Sequence, residues 1–180
     1  MTESELIRLC QQASPRGQQE LFDRWADSLY RVALRYVKTD VDAEDIVMMS
    51  FTKAFRHITS FRPQGEGSLH AWLRKIVVNE SLGWLRRRHN FNMVESLDDT
   101  LPVPDLNEVC HLPAEDILRL VMELPAGYQT VFNLHVVEGY SHQEIAEQLG
   151  ISESTARTQL FKAKAQLKKM LIREGFQYGT

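Results

Sequence analysis

Two helix-start signals, one tight turn apart, constrain this chain more than any other feature. They lie in GYSHQEIAEQLGISESTARTQLFKAKAQLKK, residues 139–169. Ser141 and Glu144 stand in the S-x-x-E spacing of a capping box, which predicts a short helix running to Leu149. Gly150 is the residue type that ends a helix in the left-handed conformation, and Ser152 can cap a second helix two residues on. Ile145, Ala146, Leu149 and Ile151 would close the inside of that corner. Ala156, Leu160, Ala163 and Leu167 recur at helical spacing and give the second helix one buried stripe. Its remaining faces carry Ser154, Arg157, Thr158, Gln159, Lys162, Lys164 and Lys168. This is the pattern of a helix-turn-helix whose second helix offers cationic and hydrogen-bonding side chains to a DNA major groove.

The rest of the chain also reads as helix, so the expected fold is all-α. Thr2 and Glu5 form a further capping box, and Ser14-Pro15 is an N-cap followed by proline at the first helical position. Leu21, Phe22, Trp25, Leu29, Val32, Ala33 and Tyr36 keep helical spacing. Asp42 can cap the helix AEDIVMMSFTKAFRHI, and Ser68, after the loop TSFRPQGEG, can cap a long helix ending near Arg88. Pro113 and Pro125 start two helices ahead of the helix-turn-helix. Between these groups, residues 93–112 hold Glu95, Asp98, Asp99, Asp105 and Glu108, two prolines, no Lys or Arg and no sustained periodicity. The expected organisation is a helical domain over 1–92, an extended acidic linker over 93–112 and a four-helix domain over 113–180.

Charge distribution says more than the net value of −3. Arg86-Arg87-Arg88 and the lysine-rich last helix form two basic surfaces on either side of the acidic connector. No apolar run approaches the ~20 residues that a membrane span requires, and MTESELIRLC is acidic where a signal peptide is basic. A cytoplasmic protein without membrane insertion is expected, with Cys10 and Cys110 as reduced thiols. No metal-ligand spacing, cofactor motif or small-molecule site is expected. Ser141, His57, His70 and Asp116 could be drawn as a catalytic set, but no nucleophile elbow surrounds the serine. HQEIAEQLG lacks the second histidine of a zinc helix, so no catalytic residue is expected.

Two further helices carry more apolar or polar surface than a core alone requires. On AEDIVMMSFTKAFRHI, Val47, Phe51, Ala54, Phe55 and Ile58 make one face, while Asp45, Ile46, Met49, Lys53 and Arg56 make another. Ile46 and Met49 set among charges suggest a protein-binding surface; the alternative is that both pack under a neighbouring helix. On the helix after Ser68, Trp72, Lys75, Asn79, Gly83 and Arg86 share a stripe flanked by apolar residues. An aromatic among cations suits melted nucleic acid, in which bases stack and phosphates meet charge. Its alternative is Trp72 as core, with the arginines a solvated helix end.

Taken together, three segments of this chain resemble the extracytoplasmic-function (ECF) group of the sigma-70 family, RNA polymerase sigma subunits. DAEDIVMMSFTKAFRHITSF resembles the region 2 helix that grips the polymerase clamp. SLHAWLRKIVVNESLGWLRRR resembles the helix that melts and reads the −10 element. LPAGYQTVFNLHVVEGYSHQEIAEQLGISESTARTQLFKAKAQLKK resembles region 4, which reads the −35 element.

The resemblance implies a non-catalytic specificity subunit whose partners are core RNA polymerase (clamp and flap regions), promoter DNA and an anti-sigma factor. It implies clamp contacts at Asp45, Ile46, Met49, Lys53 and Arg56. The loop 61–67 would hold a base flipped from the −10 strand. Phe61, Arg62, Trp72, Lys75, Asn79, Arg86 and Arg87 would contact that strand. Ser152, Ser154, Thr155, Arg157, Thr158, Phe161 and Lys162 would serve the −35 groove. Met48-Met49 stand where the family commonly has Gln-Glu, which makes the clamp contact more apolar. Gly83-Trp84 replace a common acidic position and would loosen that helix by roughly 1 kcal/mol. The competing expectation is a stand-alone helix-turn-helix regulator with a helical sensor domain.

Overall fold

The computed structural model describes residues 1–92 and 114–175, so the connector expected over 93–112 lies outside the described residues. All regular structure among the described residues is helical, and the chain divides into two compact units, Met1–Leu85 and Arg86–Thr180.

In the first unit α1 spans Glu3–Gln11, α2 Pro15–Val37, α3 Asp40–His57 and α4 begins at Ser68 and ends at Arg86. The Thr2–Glu5 capping box forms as expected. Two other starts differ from the sequence reading. Thr39, not Asp42, is the N-cap of α3: its hydroxyl accepts from the Asp42 amide at 3.3 Å, and Asp42 falls in the first turn. At α4, Ser68 is already helical, with its hydroxyl donating to the Gly65 carbonyl at 2.7 Å. The amides there turn to Glu3 instead, a residue of α1: Gly67 N donates at 2.7 Å and Leu69 N at 2.9 Å.

Leu6 and Ile7 of α1, Leu21, Leu29 and Tyr36 of α2, Val47 and Phe51 of α3, and Leu69, Leu73 and Leu82 of α4 meet in one core. The Phe22 and Phe51 rings, 4.9 Å apart, join α2 to α3. The α4-facing side of α3 is marked by two polar ties. Trp84 Nε1 donates to Asp42 Oδ1 at 3.0 Å, and Lys53 Nζ pairs with Glu80 at 2.8 Å. Trp84 thereby anchors the end of α4, and the helix continues through Gly83 without a break. Cys10 is buried and its thiol is pushed up to about 11 by burial, which leaves it inert.

In the second unit α5 spans Ala114–Glu123, α6 Ala126–Phe132, α7 His142–Leu149 and α8 Glu153–Arg173. A π turn, Asn133–Val137, widens the end of α6, with Glu138 N donating to the Asn133 carbonyl. Gly139 at φ +80 then lets Tyr140 N reach back to the Leu134 carbonyl and stop the helix. The helix-turn-helix forms as its signals required. Ser141 and Glu144 make the capping box, Gly150 lies at φ +67, and the Ser152 hydroxyl accepts from the Thr155 amide at 3.0 Å. Leu120, Tyr128, Val131, Ile145, Leu149, Ala156, Leu160 and Leu167 fill its core. Arg119 clasps Glu174 with two guanidinium nitrogens, tying α5 to the end of α8. No helix among the described residues is long and apolar enough to cross a membrane.

Candidate functional site

Three surfaces carry the chemistry. The first is a cleft of about 770 Å³ in the first unit, between the loop 61–67 and one face of α4. That volume falls in the range of ~300–1,000 Å³ typical of sites that enclose a small molecule. Phe61 and Trp72 form its aromatic wall, ring centroids 4.9 Å apart at 37°. Phe61 is buried and Trp72 half-buried, so Trp72 faces the cleft and is not the core residue of the alternative reading. Arg62 and Lys75 line the same cleft and bring positive charge to it. The Arg62 guanidinium donates to the Thr59 carbonyl at 2.9 Å, which holds it across the loop.

Asn79 is exposed one turn beyond Lys75 on the same face of α4. Arg86 closes α4 and Arg87 follows it directly, both exposed. The structure therefore gathers Phe61, Arg62, Trp72 and Lys75 in one cleft, with Asn79 at its margin, and leaves the two arginines apart from it. An aromatic wall with two cations can stack a flat ring and neutralise a phosphate beside it. Glu3 touches the loop and α4 without any local sequence signal; its place 64 positions before Gly67 hides it from pattern reading.

The second surface is the outer face of α3. Asp45, Met49 and Arg56 are exposed on one side, with Met48 beside them; Met48 and Met49 are 56% and 49% exposed. Ile46 corrects the sequence expectation, since it is 1% exposed and belongs to the core. The reason is its place on the α4-facing side of α3, one turn from Asp42 and two from Lys53. Lys53 remains exposed but is engaged with Glu80. What remains is an apolar sulfur pair framed by Asp45 and Arg56, a surface of adaptable side chains.

The third surface is α8. Ser154, Arg157 and Thr158 are exposed and Phe161 and Thr155 half-exposed, a continuous strip opposite the buried stripe of Ala156, Leu160 and Ala163. Arg157 is paired with Glu153 one turn back, and the Thr158 hydroxyl donates to the Ser154 carbonyl at 2.9 Å. Ser152 is exposed at the helix start and occupied as a cap. Two residues placed by the sequence on outward faces are buried instead. Gln159 is 0% exposed and packs on Gly127 of α6, whose hydrogen stands where a methyl group would come within 3.3 Å of the amide oxygen. Lys162, three residues on along the same side, is 7% exposed. Lys162 is thus a packed residue of this fold and not part of the exposed strip.

Beside α8, His142 at the start of α7 stacks on His135, ring centroids 4.5 Å apart and 8° from parallel. Burial, then the neighbouring His135, Arg157 and Lys164, holds the His142 ring below its usual range despite Glu153.

Comparison with known proteins gives two family matches. The model of sigma-70 region 2 matches residues 21–91, and the model of sigma-70, region 4 matches residues 114–167. The chain is 30% identical over 169 residues to the ECF RNA polymerase sigma factor SigE of Mycolicibacterium smegmatis, covering 90% of this chain and 64% of that relative. It therefore spans just under two thirds of that protein's length. To the RNA polymerase sigma factor SigV of Bacillus subtilis it is 30% identical over 145 residues, 81% of this chain and 85% of the relative. To the ECF RNA polymerase sigma-E factor of Haemophilus influenzae it is 29% identical over 184 residues, 95% and 96% of the two chains.

Proposed function

The chain belongs to the extracytoplasmic-function group of the sigma-70 family, and from that membership we propose how its surfaces divide the work of directing promoter-specific transcription. The domain over 1–92 binds core polymerase and takes up the −10 element, the acidic segment 93–112 joins it to the second domain, and the domain over 113–180 reads the −35 element. The chain catalyses nothing itself; polymerase supplies the chemistry, in the cytoplasm where the DNA is.

The observation that carries this reading is the Phe61–Trp72 cleft with Arg62 and Lys75 at its edge. A base extruded from the −10 non-template strand stacks on the aromatic wall, its flanking phosphates meet the two cations, and Asn79, Arg86 and Arg87 follow the strand along α4. A duplex-only regulator has no use for such a cleft. Asp45, Met49 and Arg56, with Met48, form the clamp contact, joined at the margin by Lys53; the buried Ile46 supports them from beneath. Ser154, Arg157, Thr158 and Phe161 enter the −35 major groove, while Ser152, Thr155 and the start of α8 stand at the backbone. Contact with the polymerase flap and competition by an anti-sigma factor belong to the reading on family membership alone.

Run-off transcription with purified core polymerase across a genomic promoter library tests it. Wild-type chain should select promoters with shared −10 and −35 elements, and Trp72→Ala should lower open-complex formation on them by on the order of tenfold or more. Tight, sequence-specific duplex binding by the chain in the absence of polymerase would sink the reading in favour of a stand-alone regulator.

A further inference from the structure

The loop 61–67 has little of its own to hold it. Gly65 and Gly67 lie at φ +120 and +81, conformations glycine adopts freely. The glycine end of the loop is tied internally through the Ser68 hydroxyl and amide, and its start through the Arg62 guanidinium, which donates to the Thr59 and Phe61 carbonyls. Its outer end is fixed from elsewhere. The Glu3 carboxylate accepts from Gly67 N at 2.7 Å through one oxygen. Through the other it accepts from Leu69 N at 2.9 Å, with the Ser68 oxygen 3.4 Å away. Glu3 sits in the first turn of α1, whose Leu6, Ile7 and Cys10 are buried and whose Leu9 lies hard against Gly17 of α2. The carboxylate therefore stands on a rigid mount.

We propose that Glu3 is the positioning residue of the base-holding cleft: it caps α4 from 64 positions away in the chain and thereby fixes the loop that carries Arg62 and sets Phe61 against Trp72. This rests on the promoter reading given above. Two consequences follow from the charge. A carboxylate at a helix start complements the positive end of the dipole, so the cap is stronger than a serine hydroxyl would be. It also fills the first donors of α4 with an anion, so a DNA phosphate is turned away from the helix start and toward Arg62 and Lys75.

Amide hydrogen exchange on the full chain, and promoter opening with core polymerase followed by a fluorescent base in the −10 element, test the proposal together. Glu3→Ala should speed exchange at Gly67 and Leu69, lower open-complex formation by about tenfold and blunt discrimination at the extruded base. Affinity for core polymerase should stay within about twofold, because the α3 surface is untouched. Glu3→Gln, nearly the same shape with one accepting oxygen, should fall between wild type and Glu3→Ala in both readouts. Unchanged exchange in Glu3→Ala overturns the cap. Faster exchange with unchanged opening and base preference overturns the positioning role. An equal loss of polymerase binding shows a general loss of fold and also overturns it. If Trp72→Ala opens promoters like wild type, the promoter reading of the cleft has failed, while the exchange result still decides whether Glu3 holds the loop.

Discussion

Arg157 shows how a single side chain can be held ready without being spent. Its pairing with Glu153 is exposed, and an exposed pair one helical turn apart is worth only about 0.3–0.5 kcal/mol. A bidentate contact to a base edge is worth about 1–3 kcal/mol, so on the proposed reading a −35 base edge would win the guanidinium easily. Arg157→Ala should therefore cost about 1–3 kcal/mol at a matched −35 element and much less at a scrambled one. Equal loss on both sequences would make Arg157 a phosphate contact. On α3 the neighbouring positions separate two roles. Met49→Asp adds charge to an exposed site and should abolish polymerase binding while leaving the helical circular dichroism intact. Ile46→Asp buries a carboxylate and should cost more than about 3 kcal/mol, melting the first domain before any binding can be measured. A folded Ile46→Asp protein deficient only in binding would restore Ile46 to the interface.

At the scale of helices, the close approach of α1 to α2 governs more than stability. A methyl group on Gly17 would stand 2.6 Å from Leu9 Cβ and 3.1 Å from the Cys10 amide, atoms that cannot swing aside. Overpacking of that kind costs about 1–3 kcal/mol, against a helix-propensity gain of at most ~1 kcal/mol from alanine. Gly17→Ala should thus lower the urea midpoint, and by shifting α1 it should also loosen the Glu3 cap and speed exchange at Gly67. A stabilised variant with unchanged exchange would show that α1 adapts freely.

The helix starts show which local signals can be read from sequence. Thr2–Glu5, Ser141–Glu144, Gly150 and Ser152 each act within four residues, and all four were legible. The cap of α4 was not, because it comes from another helix, although its start was placed at Ser68. Neither was the burial of Gln159, which depends on Gly127 presenting no side chain on α6. Lys162 follows the same side of α8 inward.

For the molecule as a whole, two histidines link stability to pH with the same sign. His142 is held low by burial first and by His135, Arg157 and Lys164. His70 is held low by burial first and by Arg74, with Glu3 opposing. Each is more easily protonated in the unfolded chain than in the folded one. Their contribution is therefore complete above the unfolded value near 6.5 and is lost as pH falls below it toward each folded value. Urea midpoints should fall between pH 7.5 and 5.5, and His142→Gln should flatten the part of that fall that belongs to the second domain. A midpoint rising toward pH 5.5 would contradict the sign.

By itself the sequence determined the helical class, the helix-turn-helix and its caps, the exposed strip of Ser154, Arg157 and Thr158, and the three segments by which the family is recognised. These depend on periodicity and on contacts within a turn or two, which residue order encodes directly. Tertiary structure alone decided that Ile46 is core and Met49 is surface, that Gln159 and Lys162 turn inward, and that Trp72 packs on Phe61 in one wall of a cleft whose loop is pinned by Glu3. A helix face that is apolar on two sides does not say which side its neighbours will cover, and a carboxylate 64 residues away leaves no local trace of the helix it caps.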